Sequence, residues 1–166
     1  MNLRKLRNED APLMLEWMED FDIIKHLQAD FSKMNLEDCI TFISNSKASA
    51  RNIHLAVVDD HDDYMGTVSL KNITDDCAEF AITVRKTAMG KGFAQFAMNE
   101  IIQYAFTQLH LEFVYWSVSP DNKRAVRFYD KNGYTRIDSS SLPINASYTS
   151  EQISKLNWYR VTNNTK

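Results

Sequence analysis

The sequence predicts a mixed α/β domain in which a central, mostly antiparallel sheet is flanked by helices. Apolar residues recur at helical spacing through the first third of the chain. Short apolar or alternating segments then follow one another across polar turns, which indicates antiparallel strands. In the second half, strands alternate with helices. We expect this order of elements to form one domain over residues 1–166.

Composition and charge exclude several classes of function. Apolar residues make up 44% and charged residues 25%, and the net charge of −3 offers no electrostatic footprint for nucleic acid or an anionic membrane. No apolar run approaches the roughly 18 residues of a membrane-spanning helix. Cys39 and Cys77 lie far apart without a CxxC pattern, which favours small buried side chains over a metal site or a disulfide. A cytoplasmic location fits these features best.

Apolar spacing and capping residues predict the first four elements. A short strand is expected over 2–7, followed by a helix with Pro12 in its first turn. A second, short helix is expected over 22–30. The third helix covers 35–47 and begins with Asn35 as its N-cap.

The remaining elements form a meander followed by alternating strands and helices. Three antiparallel strands are predicted over 53–60, 64–73 and 78–84. The later elements are predicted in this order: helix 92–109, strand 113–119, helix 123–132, strand 134–138, short helix 151–156 and strand 158–162. Asn122 or Asp121 caps the helix at 123–132, and Gly133 ends it.

The segment MGKGFAQ at 89–95 holds two of the four glycines and leads into the longest predicted helix. It is not a P-loop, because Phe93 stands where a Mg²⁺-binding hydroxyl is needed. It does not complete the G-x-G-x-x-G fingerprint of a dinucleotide site either. Backbone N–H groups at the helix N-terminus, helped by Lys91, would suit the pyrophosphate of coenzyme A. A plain glycine turn is the alternative that these residues leave open.

Two motifs together resemble the signature of the GNAT acetyltransferase superfamily, R/Q-x-x-G-x-G/A followed by N-x-x-A-x-x-[FL]-Y-x-x-x-G-[FY]. The second motif is matched by Asn122, Ala125, Phe128, Tyr129, Gly133 and Tyr134. In the first motif Gly92 and Ala94 match, whereas Met89 replaces the usual Arg or Gln. The order of elements is also similar to the family fold along nearly the whole chain.

The resemblance implies acetyl-CoA as cosubstrate, no metal, and direct transfer of the acetyl group to an amine in a ternary complex. It implies cofactor contacts from the fourth strand, the glycine loop and the late helix. These residues are Ile82, Thr83, Val84, Met89, Gly90, Lys91, Gly92, Phe93, Ala94, Asn122, Ala125 and Phe128. Because Met89 removes a side chain that commonly meets the pyrophosphate, we expect lower CoA affinity or a substitute from Arg85, Lys86 or Lys91.

This chemistry needs a base, an oxyanion donor and an acid. An amine is mostly an ammonium at pH 7 and must lose a proton before it attacks a thioester. Glu79 on the fourth strand is the expected base, and a solvated, outward glutamate is the alternative. A backbone N–H at 80–82 would meet the oxyanion. Tyr129 stands at the family's general-acid position, and packing beneath the pantetheine arm is the alternative.

The acceptor site of this fold is expected between the first two helices and the late strands. The expected substrate-binding residues are Trp17, Phe21, Trp116 and Ser117, with His26, Tyr115 and Trp158 as further candidates. Aromatic residues at such positions can instead belong to the core.

The acceptor itself is a small-molecule amine whose identity the sequence leaves open. The segments NITDDCAEFAITV, MNEIIQYAF and EWMEDFDIIKHL resemble the branch that acetylates nucleotide-linked 4-amino sugars in the pseudaminic acid pathway. Trp17, Lys25 and His26 would suit such a sugar nucleotide.

The sequence is also compatible with other acceptors and with a different class of protein. The last of these segments also resembles ribosomal-protein alanine N-acetyltransferases, so a ribosomal-protein N-terminus or a polyamine is the alternative acceptor. The acidic residues available for such a cation are Glu16, Glu19, Asp20 and Asp22. A non-catalytic acyl-CoA-binding module is the alternative of another class, with Met89 as its indication. A homodimer is compatible with the resemblance.

Overall fold

A seven-stranded sheet carries the fold, in a computed structural model that describes residues 1–143 and 148–163. The strands are β1 (Asn2–Lys5), β2 (Ile53–Val58), β3 (Tyr64–Lys71), β4 (Cys77–Val84), β5 (Phe113–Val118), β6 (Thr135–Ile137) and β7 (Asn157–Thr162). The helices are α1 (Ala11–Met18), α2 (Phe21–Ile24), α3 (Leu36–Ser46), α4 (Phe93–Thr107), α5 (Lys123–Lys131) and α6 (Ser150–Lys155).

The strands follow the order β1-β2-β3-β4-β5-β7-β6 across the sheet. Every neighbouring pair is antiparallel except β4 and β5, which run parallel. The parallel pair needs a crossover, and α4 supplies it. The predicted mixed α/β class with a mostly antiparallel sheet is confirmed.

Helices cover both faces of the sheet, because neighbouring residues of the central strands point to opposite sides. On one face, α1 and α3 bury a cluster with Ala56, Val58 and Tyr64. On the other face, α4 packs against Val57 and Phe80 in a larger cluster. Cys39 and Cys77 are free and buried, as the sequence predicts.

The chain departs from the predicted elements mainly before α3. The helix predicted over 22–30 is wrong, because only Phe21–Ile24 is helical and none of its residues is fully buried. The segment after it contributes too few apolar side chains for a helical stripe, so tertiary packing does not stabilise a longer helix. The first strand ends at Lys5, because the Asp10 carboxylate accepts a hydrogen bond from the Arg7 N–H and starts a turn.

The caps predicted for α3 and α5 are present. Asn35 accepts from the Asp38 N–H, and Asp38 accepts in return from the Asn35 N–H, which makes a capping box. Of the two candidates for α5, Asn122 is the cap, and its side chain accepts from the Ala125 N–H at 3.1 Å. Gly133 follows α5 with φ +74°, a conformation that favours glycine.

Gly66 fixes the position of the C-terminal half of β4. A Cβ on Gly66 would lie 2.4 Å from the Thr83 carbonyl oxygen and 2.9 Å from Cα of Val84. Because these are backbone atoms, no side chain fits here without moving the strand. The close approach holds β4 against β3 as far as Val84.

No helix within the described ranges is both long and apolar enough to cross a membrane. Over the same ranges, no cluster of His, Cys, Asp and Glu side chains is arranged to hold a metal ion. In the acidic turn DDHDD, Asp62 forms ion pairs with Arg4 and Arg7 and so joins the turn to β1 and the segment that follows it.

Candidate active site

The sheet opens between β4 and β5. Parallel pairing joins Cys77–Glu79 to Phe113–Tyr115 and goes no further within the part of the chain that the structure describes. Beyond Glu79, β4 stays paired with β3 as far as Val84, and beyond Tyr115, β5 stays paired with β7. The facing edges of the two strands are therefore left without strand partners, which creates a cleft that closes at Glu79 and Tyr115.

The backbone edge of 80–84 carries the predicted cofactor residues Ile82, Thr83 and Val84. All three are half-buried, in contrast to the buried residues at the start of β4. An unpaired strand edge presents N–H and C=O groups at strand spacing, which an extended ligand with amide groups can meet.

The glycine loop leads from this edge to the N-terminus of α4. Gly90 and Gly92 have φ of +76° and +87°, which non-glycine residues rarely adopt. Gly92 is the N-cap of α4 and offers no side chain to the first-turn N–H groups. These donors and the positive end of the helix dipole make an anion site. The loop therefore lies at the open end of the cleft with its amide donors unused by a cap.

Two of the three cations expected to replace the Arg or Gln of the motif are bound to other residues. The Arg85 guanidinium forms two hydrogen bonds to the Glu16 carboxylate, at 3.0 and 2.8 Å, and one to the Tyr64 carbonyl. Lys86 lies 3.6 Å from Asp20. Lys91 is exposed within the loop itself. Of the three cations, Lys91 is therefore the one that remains available to meet the pyrophosphate.

A further cation, which the sequence analysis missed, lies at the loop. Arg124, in the first turn of α5, donates from Nη1 to the Met89 sulfur. The signal available in the sequence was the pair Lys123 and Arg124 at a helix start, where cations are unfavourable.

Tyr129 lies on the α4 side of the sheet, in an aromatic cluster. Its ring centroid is 5.3 Å from that of Trp116 and 5.1 Å from that of Tyr159. Burial raises the pKa of Tyr129 well above its ordinary value. The phenol therefore stays protonated at neutral pH, which a general acid requires.

Glu79 lies at the closed end of the cleft and on the opposite face from Phe80. It is 3% exposed, so the alternative of a solvated glutamate is wrong. Its carboxylate accepts hydrogen bonds from Lys71 Nζ at 3.0 Å, from Asn72 Nδ2 at 3.1 Å and from the Tyr148 hydroxyl. Three donors, one of them cationic, compensate the burial of a charge.

Tyr148 and Tyr115 both lie next to Glu79. Burial raises the pKa of both phenols, and the Glu79 carboxylate raises each further. Ser117 lies on this face and interacts with Tyr148. The sequence analysis named Tyr115 and Ser117 but missed Tyr148, which lies 69 positions from Glu79.

The structure does not bring the four expected acceptor residues together. Trp17 is 5% exposed and donates to the Tyr64 hydroxyl inside the α1–α3 core, and Trp116 is 1% exposed within the α4 core. Neither ring is accessible to an acceptor, so these two expectations are corrected to core positions. Phe21 is 70% exposed on α2. Ser117 alone of the four lies on the strand next to Glu79 and on the same face, two residues beyond the paired Tyr115.

Comparison with known protein families identifies the family of this chain. Residues 1–135 match the family described as "Acetyltransferase (GNAT) domain". The chain therefore belongs to the GNAT acetyltransferase family, and it is an N-acetyltransferase.

Individual relatives cover most of the chain at low identity. Acetyltransferase PseH from Campylobacter jejuni is 26% identical over 137 residues, which are 82% of this chain and 84% of that protein. Spermidine N(1)-acetyltransferase from Vibrio cholerae is 39% identical over 57 residues, 34% of this chain and 33% of that protein. The structure of spermidine N-acetyltransferase from Vibrio cholerae in complex with CoA and spermine has a TM-score of 0.79 at 20% identity, over 97% and 94% of the two chains. This likeness confirms the fold.

Proposed function

We propose that the chain binds acetyl-CoA in the cleft between β4 and β5 and transfers its acetyl group directly to a primary amine. The observation that carries this proposal is the continuous path from the unpaired edge at 80–84 to the uncapped N-terminus of α4. The pantetheine arm has amide groups that can pair with a strand edge, and the pyrophosphate is an anion that suits a helix N-terminus.

The proposed cofactor contacts follow this path. Ile82 and Val84 would pair with the arm through their backbone, with Thr83 between them, and the amides at 90–94 would meet the pyrophosphate. The side-chain oxygen of Asn122 already accepts the hydrogen bond that caps α5. Ala125 and Phe128 pack with the α4 core and would wall the cleft from the α5 side.

Tyr129 is the proposed general acid. In the reaction the amine nitrogen forms a bond to the thioester carbon, and the carbon–sulfur bond breaks to leave a thiolate. A free thiol titrates near pH ~8.5, so the departing sulfur takes up a proton near neutral pH. The buried, protonated phenol of Tyr129 would donate it.

Glu79 is the proposed base, acting through a water molecule. Its donors Lys71, Asn72 and Tyr148 fix the carboxylate at the closed end of the cleft. The backbone N–H groups at 80–82 would meet the oxyanion.

A nucleotide-linked 4-amino sugar is the acceptor that we propose, on the resemblance of the sequence to that branch. The charges near α1 and α2 support a neutral or anionic acceptor over a polyamine. Of the four acidic residues that a cation would use, Glu16, Asp20 and Asp22 are paired with Arg85, Lys86 and Lys25, and within the described residues only Glu19 forms no ion pair. The pair with Asp22 engages Lys25, one of the residues expected to suit the sugar nucleotide.

An acceptor panel tests this function. We expect thiol release from acetyl-CoA to show the highest kcat/KM with a nucleotide-linked 4-amino sugar, compared with spermidine and a ribosomal-protein N-terminal peptide. A higher value for either of the other two would replace the proposed acceptor. CoA binding without thiol release for any amine would support the non-catalytic module instead.

Replacing Tyr129 by Phe should lower kcat by about 10²-fold, because the thiolate then leaves without its acid. The KM for acetyl-CoA should change little. Tyr134→Phe is the matched control, since the family motif accepts Phe there, and it should retain kcat. An unchanged kcat in Tyr129→Phe between pH 6 and 10, with chemistry rate-limiting, would refute the assignment.

Glu79→Gln should lower kcat/KM about 10²–10⁴-fold near neutral pH, because the ammonium keeps its proton. The deficit should shrink as the pH rises through the pKa of the amine, since the acceptor then arrives deprotonated. The pH–rate profiles of the two proteins check this, with thermal unfolding to verify that the variant is folded. A deficit of the same size at every pH would indicate a purely structural glutamate.

A further inference from the structure

The anion site at the glycine loop lacks the Arg or Gln side chain that the family motif places there, because position 89 is Met. The upstream candidates cannot supply it without breaking other contacts. Arg85 is bound to Glu16 and to the Tyr64 carbonyl, and Lys86 faces Asp20. The loop's own cation, Lys91, is a flexible point charge without the fork geometry that suits a phosphate.

Arg124 lies where the missing side chain would be needed. It is exposed on the first turn of α5, and its guanidinium contacts the sulfur of Met89 itself. A thioether is a weak hydrogen-bond acceptor, so an arriving phosphate would displace it at little cost. No ion pair of Arg124 is present among residues 1–143 and 148–163. Arg127, one turn on, instead donates to the Lys123 carbonyl of its own helix.

The placement of Arg124 also breaks a rule of helix composition. The first turn of α5 contains Lys123 and Arg124 and no acidic residue. Positive charges at this end oppose the helix dipole, which favours anions there. Local departures of this kind concentrate at functional sites, and a bound anion would reverse the unfavourable electrostatics.

We propose that Arg124 binds the pyrophosphate of acetyl-CoA and replaces, from the second motif, the polar side chain that position 89 lacks. This inference rests on the proposed binding of acetyl-CoA at the glycine loop. The guanidinium would leave the Met89 sulfur and pair with phosphate oxygens, while Lys91 and the loop amides complete the site.

Arg124→Ala tests the proposal, with Arg127→Ala as the matched control on the same helix. We expect the KM for acetyl-CoA and the Kd for CoA to rise about tenfold or more in Arg124→Ala, because a charged hydrogen bond is lost. The kcat at saturation should not change, and Arg127→Ala should behave as wild type. Equal CoA affinity in Arg124→Ala and wild type would overturn the proposal.

Shortened acetyl donors show which part of the cosubstrate Arg124 contacts. With S-acetylpantetheine, which has no phosphate, Arg124→Ala should equal wild type, and a remaining deficit would point to a structural role. With acetyl-3′-dephospho-CoA the deficit should persist. Its disappearance would place Arg124 at the 3′-phosphate and contradict the proposal.

A double variant that moves the positive charge from position 124 to position 89 tests whether affinity can be restored. Met89→Arg in the Arg124→Ala background should restore most of the CoA affinity. Failure of Met89→Arg to restore it would count against a shared site. If wild type itself binds no CoA, the proposed function fails, and this outcome is distinct from wild-type binding that Arg124→Ala leaves intact.

Discussion

The loss of pairing between β4 and β5 is the constraint on which the site depends. Three residues of each strand pair, and beyond Glu79 and Tyr115 the strands follow different neighbours. Gly66 keeps β4 against β3, since any Cβ there would meet the backbone of Thr83 and Val84. On the other side of the cleft, antiparallel pairing along the whole of β5 holds this strand against β7. The cleft is therefore a product of strong pairing on its two outer sides, and the open edge needs no strained residue of its own.

The two faces of the sheet divide the proposed chemistry. Tyr129 and Trp116 lie on the face covered by α4, which is also the side of the glycine loop. Glu79 and Tyr148 lie on the other face, where Tyr115 and Trp158 form a separate apolar cluster. An amine that enters from the Glu79 face and a donor held in the cleft would thus meet at the last paired residues. The closed end of the cleft is where a thioester would have both groups within reach.

Local patterns in the sequence predict most of the fold, and long-range contacts explain the rest. The meander, α4 and the caps at Asn35 and Asn122 follow from periodicity and turn chemistry over a few residues. Periodicity identifies Trp17 and Trp116 as apolar surface, but it does not tell a pocket wall from a core, and both are core. The partners of Glu79 and Met89 were missed for a related reason. Tyr148 and Arg124 lie 69 and 35 positions away, and only the folded sheet brings them together.

Amide hydrogen exchange with and without CoA tests the cleft most directly. Binding should slow exchange in two separate segments at once, the free edge at 80–84 and the first turn of α4 after Gly92. The paired strand β2, which no part of the cosubstrate would touch, should exchange at an unchanged rate. Protection of both segments at saturating CoA is the result that this account predicts. Saturable CoA binding that protects neither segment would contradict it.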